Sequence, residues 1–202
     1  MIGPPPANTA RKRLSREARR RQLLGVAWDI ARRDGADALT LGRLAHEAGV
    51  SRPVAYEHFE TRSGLLVALY REIADRQYEQ AQTVLDQRVD DLPSLATRVG
   101  RAFMRCYATT GPEAFAIAAS LKGDATMEAA QKALIERYVN AYAEAFEGVT
   151  DLSGPALLIR FAAIVAAGEE LSQRMLAGEI DENTAADTLA SLITAWLPPA
   201  SR

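Results

Sequence analysis

Residues 40–62, TLGRLAHEAGVSRPVAYEHFETR, decide the fold of this chain. They read as two short helices joined by a tight turn. Thr40 is a suitable N-cap, and Leu41, Leu44 and Ala45 set one apolar face at helical spacing. Ala48-Gly49-Val50 breaks that pattern, and Gly49 takes positive φ at little cost, as a turn between crossed helices requires. Ser51 caps the second helix. Pro53 is tolerated in its first turn, where N–H groups lack intrahelical partners. Ala55 and Phe59, four residues apart, form the inward face of this helix. Arg52, Val54, Tyr56, Glu57 and His58 are left to point elsewhere. A short helix with an apolar anchor and a polar, aromatic outer face suits a DNA major groove.

Outward from this stretch the chain stays helical. Residues 15–34 repeat Leu23, Leu24, Ala27, Ile30 and Ala31 at helical spacing, and Gly35 ends that helix. Thr61 caps a long helix striped by Leu65, Leu66, Leu69, Tyr70 and Ile73, predicted to run to about Asp86. Pro93, Gly111-Pro112, Asp124, Gly154-Pro155 and Asp181 open five more helices, and Pro198-Pro199 stops the last. No segment reads as a strand or an internal repeat. The fold class is all-α with about nine helices. It divides into a Pro-rich, basic and disordered arm (1–14), a three-helix helix-turn-helix unit (15–62) and a second helical unit (63–202), which the family resemblance described below implies is a ligand-binding and dimerisation domain.

Composition sets the frame. With 202 residues, 48% hydrophobic and 25% charged, the chain can bury a core without disulfides or metals. Its single cysteine, Cys106, excludes an intramolecular disulfide and points to a reducing compartment. The N-terminus lacks the apolar core of a signal peptide, and no window is long and apolar enough for a membrane span. A cytoplasmic, nucleoid-associated location is expected. Net charge is −2, but residues 1–62 carry 12 Lys+Arg against 7 Asp+Glu, while residues 63–202 carry 12 against 19. A basic end on an acidic body suits contact between that end and a polyanion, although a solvated charge run would look the same.

The run from Leu24 to Leu66 resembles the DNA-binding domain of TetR-family (tetracycline-repressor-like) transcriptional regulators. The resemblance is carried by Arg33-Asp34-Gly35, Thr40, Leu44-Ala45, Ala48-Gly49-Val50-Ser51, Tyr56-Glu57-His58-Phe59 and Thr61-Arg62, followed by Leu65-Leu66. It implies a homodimer on a near-palindromic double-stranded operator. It also implies that Thr40, with Ser51 and Thr61 at the following caps, lies at the DNA backbone. Arg43 would lie near the backbone or a base edge, and Arg52, Pro53 and Val54 would face bases. Tyr56, His58 and Arg62 would hold phosphates. Gly42 stands where the family's type member has a base-reading arginine, which shifts specificity toward Arg52 and the arm. The residue chemistry agrees. Arginine is bidentate to guanine, valine packs on a thymine methyl, and hydroxyls donate to phosphate without specifying sequence. Glu57 either accepts from cytosine or pairs sideways with an arginine; the second is favoured.

Over the rest of the chain the resemblance extends to length and class alone, implying a small-molecule effector and dimerisation through the last two helices. Phe103, Met104, Tyr107, Phe115 and Phe161 suit either core or the lining of an effector pocket. Arg160 interrupts an apolar run, so it either meets a ligand or pairs with a carboxylate such as Glu169 or Glu170. Ala162, Ala163, Ala166, Ala167, Gly168, Ala185 and Ala186 allow close helix approach, across a dimer or within one chain. Cys106 reads as a small buried hydrophobe rather than a redox sensor, and His46 as a surface residue. No cofactor is implied. The rival readings are a ligand-independent architectural DNA-binding protein and a helical enzyme. The second lacks a phosphate loop, metal-ligand spacing or nucleophile motif.

Overall fold

A computed structural model describes residues 14–85 and 91–201. Among them are nine α-helices, no strand, and two isolated bridges that tie Thr150 to Glu147 and Pro199. The expected arm, apart from Leu14, lies outside the described residues.

Helix α1 (Arg16–Asp34) starts at Ser15, whose hydroxyl accepts from the Ala18 N–H, and stops where Gly35 turns to φ 83°. A 3-10 turn (Ala36–Ala38) that periodicity does not reveal leads to α2 (Leu41–Glu47). Gly49, at φ 63°, makes the turn to α3 (Arg52–Phe59). Helix α4 (Arg62–Leu85) follows at once. The junction is tight. The Thr61 N–H donates to the Phe59 carbonyl at 2.6 Å, and Glu60 between them sits at φ 60°, ψ −52°. That is a γ-turn of the strained hand, held by a residue with a side chain. Gly64 makes it possible, because a Cβ there would lie 2.1 Å from the Phe59 carbonyl oxygen.

The remaining helices are α5 (Leu92–Thr110), α6 (Glu113–Ala119), α7 (Ala125–Phe146), α8 (Gly154–Leu176) and α9 (Glu182–Trp196). Asp91, Asp124 and Asp181 cap α5, α7 and α9 with their carboxylates. Helix α5 lies close against α9, where a Cβ at Gly100 would come within 2.4 Å of the Ala186 carbonyl oxygen.

The apolar interior forms two clusters. The first gathers the buried faces of α1–α3, the Leu65–Ile73 stripe of α4, and Ala114, Ile117 and Leu121 from the α6 region. The second lies among α5, α7, α8 and α9, around Phe103, Tyr138, Phe146, Phe161 and Leu189. The first core therefore reaches well past residue 62, because α4 and α6 each supply it with side chains.

Candidate functional site

Helix α3 is anchored from behind. Ala55 is fully buried and Phe59 nearly so, while Arg20 of α1 donates to the His58 carbonyl at 3.2 Å and lies 5.0 Å from the Phe59 ring centroid. This brace leaves Ser51, Arg52, Pro53, Tyr56 and Glu57 exposed on the outer side, with Val54 half-buried beside them. Tyr56 is an exposed large aromatic at 51%. The Arg52 guanidinium lies over Gly42 of α2, its Nε 3.7 Å from where a Cβ would stand. The missing side chain at 42 thus gives Arg52 its place. The Thr40 hydroxyl accepts from the Arg43 N–H at 3.1 Å and the Thr61 hydroxyl from the Gly64 N–H at 3.0 Å. Both keep their own protons for another acceptor. Ser51 makes no side-chain cap bond, so its hydroxyl is free to do the same.

Three expected contact residues are engaged or partly buried within the chain. Arg43 turns toward the end of α1. There it donates to Glu47 at 2.8 Å and to Asp34, while Arg33 donates to both carboxylates from the other side. Burial opposes ionisation of Asp34, but bonds from Arg33 and Arg43 hold it below the usual carboxylate range; Arg43 and Arg33 do the same for Glu47. Arg62 donates to the Leu39 carbonyl at 2.8 Å and the Ala36 carbonyl at 3.1 Å, tying the start of α4 to the turn before α2. These carbonyls lie in the 3-10 segment that the sequence pattern did not disclose. His58 is half-buried. Burial lowers its pKa, Glu57 opposes this, and Arg16, Arg20 and Arg19 lower it further.

The second constellation is interior. A cavity of about 40 Å³ is lined by Tyr70, Ile73, Gln77, Tyr107, Ala114, Phe115, Ala118, Gln131 and Glu169. A void of about 10 Å³ adjoins it past Gln77 and Tyr107, walled by Phe103, Cys106, Tyr138 and Tyr142. The Glu169 carboxylate accepts from the Tyr138 hydroxyl at 3.1 Å and the Tyr107 hydroxyl at 3.5 Å. Burial pushes the Glu169 carboxyl above its ordinary range, although Tyr138, Tyr107 and the more distant Lys122 pull the other way. Burial also pushes the Tyr70 hydroxyl up to about 12. Phe115 stacks on Tyr107 at 5.0 Å between centroids, with planes 9° apart.

Of the expected pocket residues, Tyr107 and Phe115 line the cavity and Phe103 lines the adjoining void. Met104 and Phe161 are fully buried core; Phe161 packs on Tyr142 and Phe146. Arg160 stands apart, donating to the Trp196 carbonyl at 2.5 Å, where it satisfies the C-terminus of α9. Glu170 pairs with Arg174 instead. Glu169, expected in the sequence only as a partner for Arg160, instead meets Tyr107 and Tyr138, and its convergence with Gln77 and Gln131 from three helices has no local signature. Trp28 was also missed; its indole N–H donates to Glu72 of α4 at 2.7 Å.

Helix α6 and helix α4 each touch both the cavity and the first apolar cluster. Ala114 and Ile117 sit in the first apolar cluster, while Phe115 and Ala118 line the cavity. Glu113 at the start of α6 accepts from Arg32 of α1 at 2.9 Å. On α4, Leu65 to Ile73 pack in the first cluster, and Tyr70 and Gln77 reach the cavity.

Residues 23–69 match the family model for bacterial regulatory proteins of the tetR family. Over 100 residues the chain is 31% identical to the HTH-type transcriptional activator FasR of Mycolicibacterium smegmatis, an alignment spanning 50% of this chain and 46% of that protein. A TetR-like transcriptional regulator from Rhodococcus sp. RHA1 superposes with a TM-score of 0.69 at 22% identity, covering 90% of this chain and 96% of that one. The FadR regulator of Bacillus subtilis in complex with stearoyl-CoA gives 0.70 at 14% identity, covering 87% and 97%. At these identities the structural likenesses establish the fold.

Proposed function

We propose that this chain, which belongs through its N-terminal domain to the tetR family of bacterial regulatory proteins, binds a near-palindromic operator as a homodimer and lets go when a small molecule fills its interior cavity. The observation that carries this reading is the outer face of α3. Arg52, Pro53 and Tyr56 stand clear, with Val54 half-buried among them, on a helix braced from behind. Arg52 and Val54 read base edges; Tyr56, Thr40, Ser51 and Thr61 hold phosphates. Arg62, Arg43 and the His58 backbone hold the reading head in shape.

Dimerisation through α8 and α9 is supported by what those helices leave uncovered. Ile159 is 71% exposed and shares a helical face with Ala162, Ala163 and Ala166, and Trp196 at the end of α9 is 43% exposed. Joining two copies there removes apolar surface from water. A dimer sets two α3 helices about 34–36 Å apart or somewhat more, one helical turn of duplex.

Release follows from the elements shared between the sites. A ligand in the cavity presses on Phe115 and Ala118 of α6 and on Tyr70 of α4. Both helices carry the displacement into the first core, and α6 also through the Arg32–Glu113 pair. A changed spacing of the two heads is then penalised by rigid DNA. The FadR structure holds stearoyl-CoA, which shows that a neighbour of this fold accommodates a small molecule. The simplest sign of regulation is repression, by occupying the promoter. No described helix is long and apolar enough to cross a membrane. The test is retention of random duplexes, followed by sequencing and by measurement of dimer mass on the selected operator. A tight monomer on one half-site overturns the dimeric reading; loss of sequence preference overturns the regulatory one.

A further inference from the structure

The cavity beside α6 has a one-sided chemistry. Two side-chain oxygens on its wall, Gln77 Oε1 and Gln131 Oε1, are buried without a hydrogen-bond partner. Gln131 is only 6% exposed. The orientation of Gln77 follows from its neighbours. The Tyr107 hydroxyl gives its proton to Glu169, so it can only accept from Gln77, whose amide nitrogen must face it and whose oxygen is left over. The third acceptor is the Glu169 carboxylate. Its described neighbours are two hydroxyls, with Lys122 the one cation acting on it, from a distance. A buried carboxylate without a paired cation and the orphaned Gln77 oxygen are each costly, and the Gln131 amide, beside the Tyr70 hydroxyl, can turn its oxygen to that hydroxyl or into the cavity. Around them stand the rings of Tyr70, Tyr107, Tyr138 and Phe115.

We propose that this cavity receives the protonated amine of a small cationic effector, with Glu169 as counter-ion and Gln77 and Gln131 accepting its N–H bonds. The aromatic walls favour a cation further through their ring faces. Size agrees. About 40 Å³ holds a head group and not a whole molecule. Gln131 also lines a surface groove of about 460 Å³, shared by Ile135, Val139 and Ala162 with the charged Lys122, Glu128, Lys132 and Glu136. Moving the Gln131 side chain joins the two spaces and lets an apolar tail lie along α7. The ligand class is thus an ammonium with an aliphatic body, the opposite charge from an acyl thioester of coenzyme A.

This inference rests on the reading of the chain as an effector-responsive regulator, so the experiment separates the two. Hexylammonium, hexanoate and hexan-1-ol share a body and differ in head group. Each is titrated by calorimetry into the full-length wild type, Glu169→Gln and the exposed control Glu170→Gln at pH 7.5. Hexylammonium is expected to bind at least about tenfold tighter than the other two, and Glu169→Gln to remove that advantage, as loss of a charge-assisted bond implies. Glu170→Gln should bind as wild type does, and Glu169→Gln should keep its helical circular dichroism. No detectable hexylammonium binding, equal binding of all three, or an ammonium preference that survives Glu169→Gln overturns the proposal. A second arm adds selected operator DNA. Ammonium binding that leaves DNA affinity unchanged upholds the site and overturns the effector role; release of DNA by hexanoate alone does the reverse.

Discussion

Arg52 illustrates how a vacancy at one position gives work to another. Its guanidinium rests where Gly42 has no side chain. Arg52→Ala is expected to cost about 1–3 kcal/mol at one base pair per half-site while leaving non-specific binding nearly intact. Equal loss on operator and random DNA would remove Arg52 from base readout. Gly42→Arg should displace Arg52 and change the retained sequence, which a repeat selection would show. Arg62 makes a contrasting case. It looks like a phosphate ligand in sequence, yet two of its five N–H donors are held by the Leu39 and Ala36 carbonyls. Arg62→Ala should therefore lower the melting temperature, through roughly 1 kcal/mol of lost carbonyl bonding, and leave the salt dependence of DNA binding almost unchanged. A salt slope shallower by about one phosphate would show that the side chain swings onto DNA. Glu60 sits in a backbone conformation costing on the order of 1–3 kcal/mol. Glu60→Gly relieves it and should raise the melting temperature, unless α3 shifts as a result. The change in DNA affinity is the check.

At the scale of elements, α6 joins the wall of the cavity to α1. Helix α1 contacts it through Arg32 and Glu113, and the Glu113 side chain is only 9% exposed. Glu113→Gln should leave DNA and ligand binding separately intact while shrinking the effect of one on the other; unchanged coupling would transfer the role to α4. Helix α8 brings Glu169 to face Tyr70 of α4, Tyr107 of α5, Tyr138 of α7 and Lys122 before α7. Its folded pKa is raised, so the native state holds this proton more tightly than the unfolded chain does. Stability from this group is present below the unfolded carboxyl value, near 4.3, and falls as pH rises through the folded value. Glu169→Gln cannot ionise. Its melting temperature should gain on wild type from about pH 4.3 upward and then level off above the folded pKa. A difference that is flat with pH would mean Glu169 is not desolvated. The helices themselves were legible, because caps such as Ser15, Thr40 and Asp124 and stops such as Gly35 and Pro198 are local chemistry. The cavity was not. Gln77, Gln131 and Glu169 are far apart in the chain, and no spacing rule brings them together. The contacts of Arg43 and Arg62 within the chain were hidden for the same reason: Asp34, Ala36 and Leu39 become their neighbours only after α1 and α4 have packed.

For the whole molecule, the dimer reading turns on the uncovered face of α8. Ile159→Glu is expected to give a monomer by light scattering with unchanged circular dichroism, and with specific DNA affinity lost because each half-site then binds alone. A dimer that persists would move the interface elsewhere. Coupling between effector and operator should be about 1–3 kcal/mol and reciprocal, so calorimetry of the effector with and without operator must show the same factor in both directions. One feature bears on how this protein melts. The two apolar clusters share no single core, and the cavity lies between them, its wall drawn from Ile73 and Ala114 of one and Tyr107 of the other. The seam is crossed by α4, which supplies side chains to both clusters. Without effector, scanning calorimetry should show more total heat than the sharpness of the transition accounts for, as two partly independent units would. A molecule bridging the seam fastens them, bringing the van't Hoff and calorimetric enthalpies together. Amide exchange in α1–α3 and in α8–α9 then slows in concert, and the same few atoms that sense the effector decide whether the chain unfolds as one body or as two.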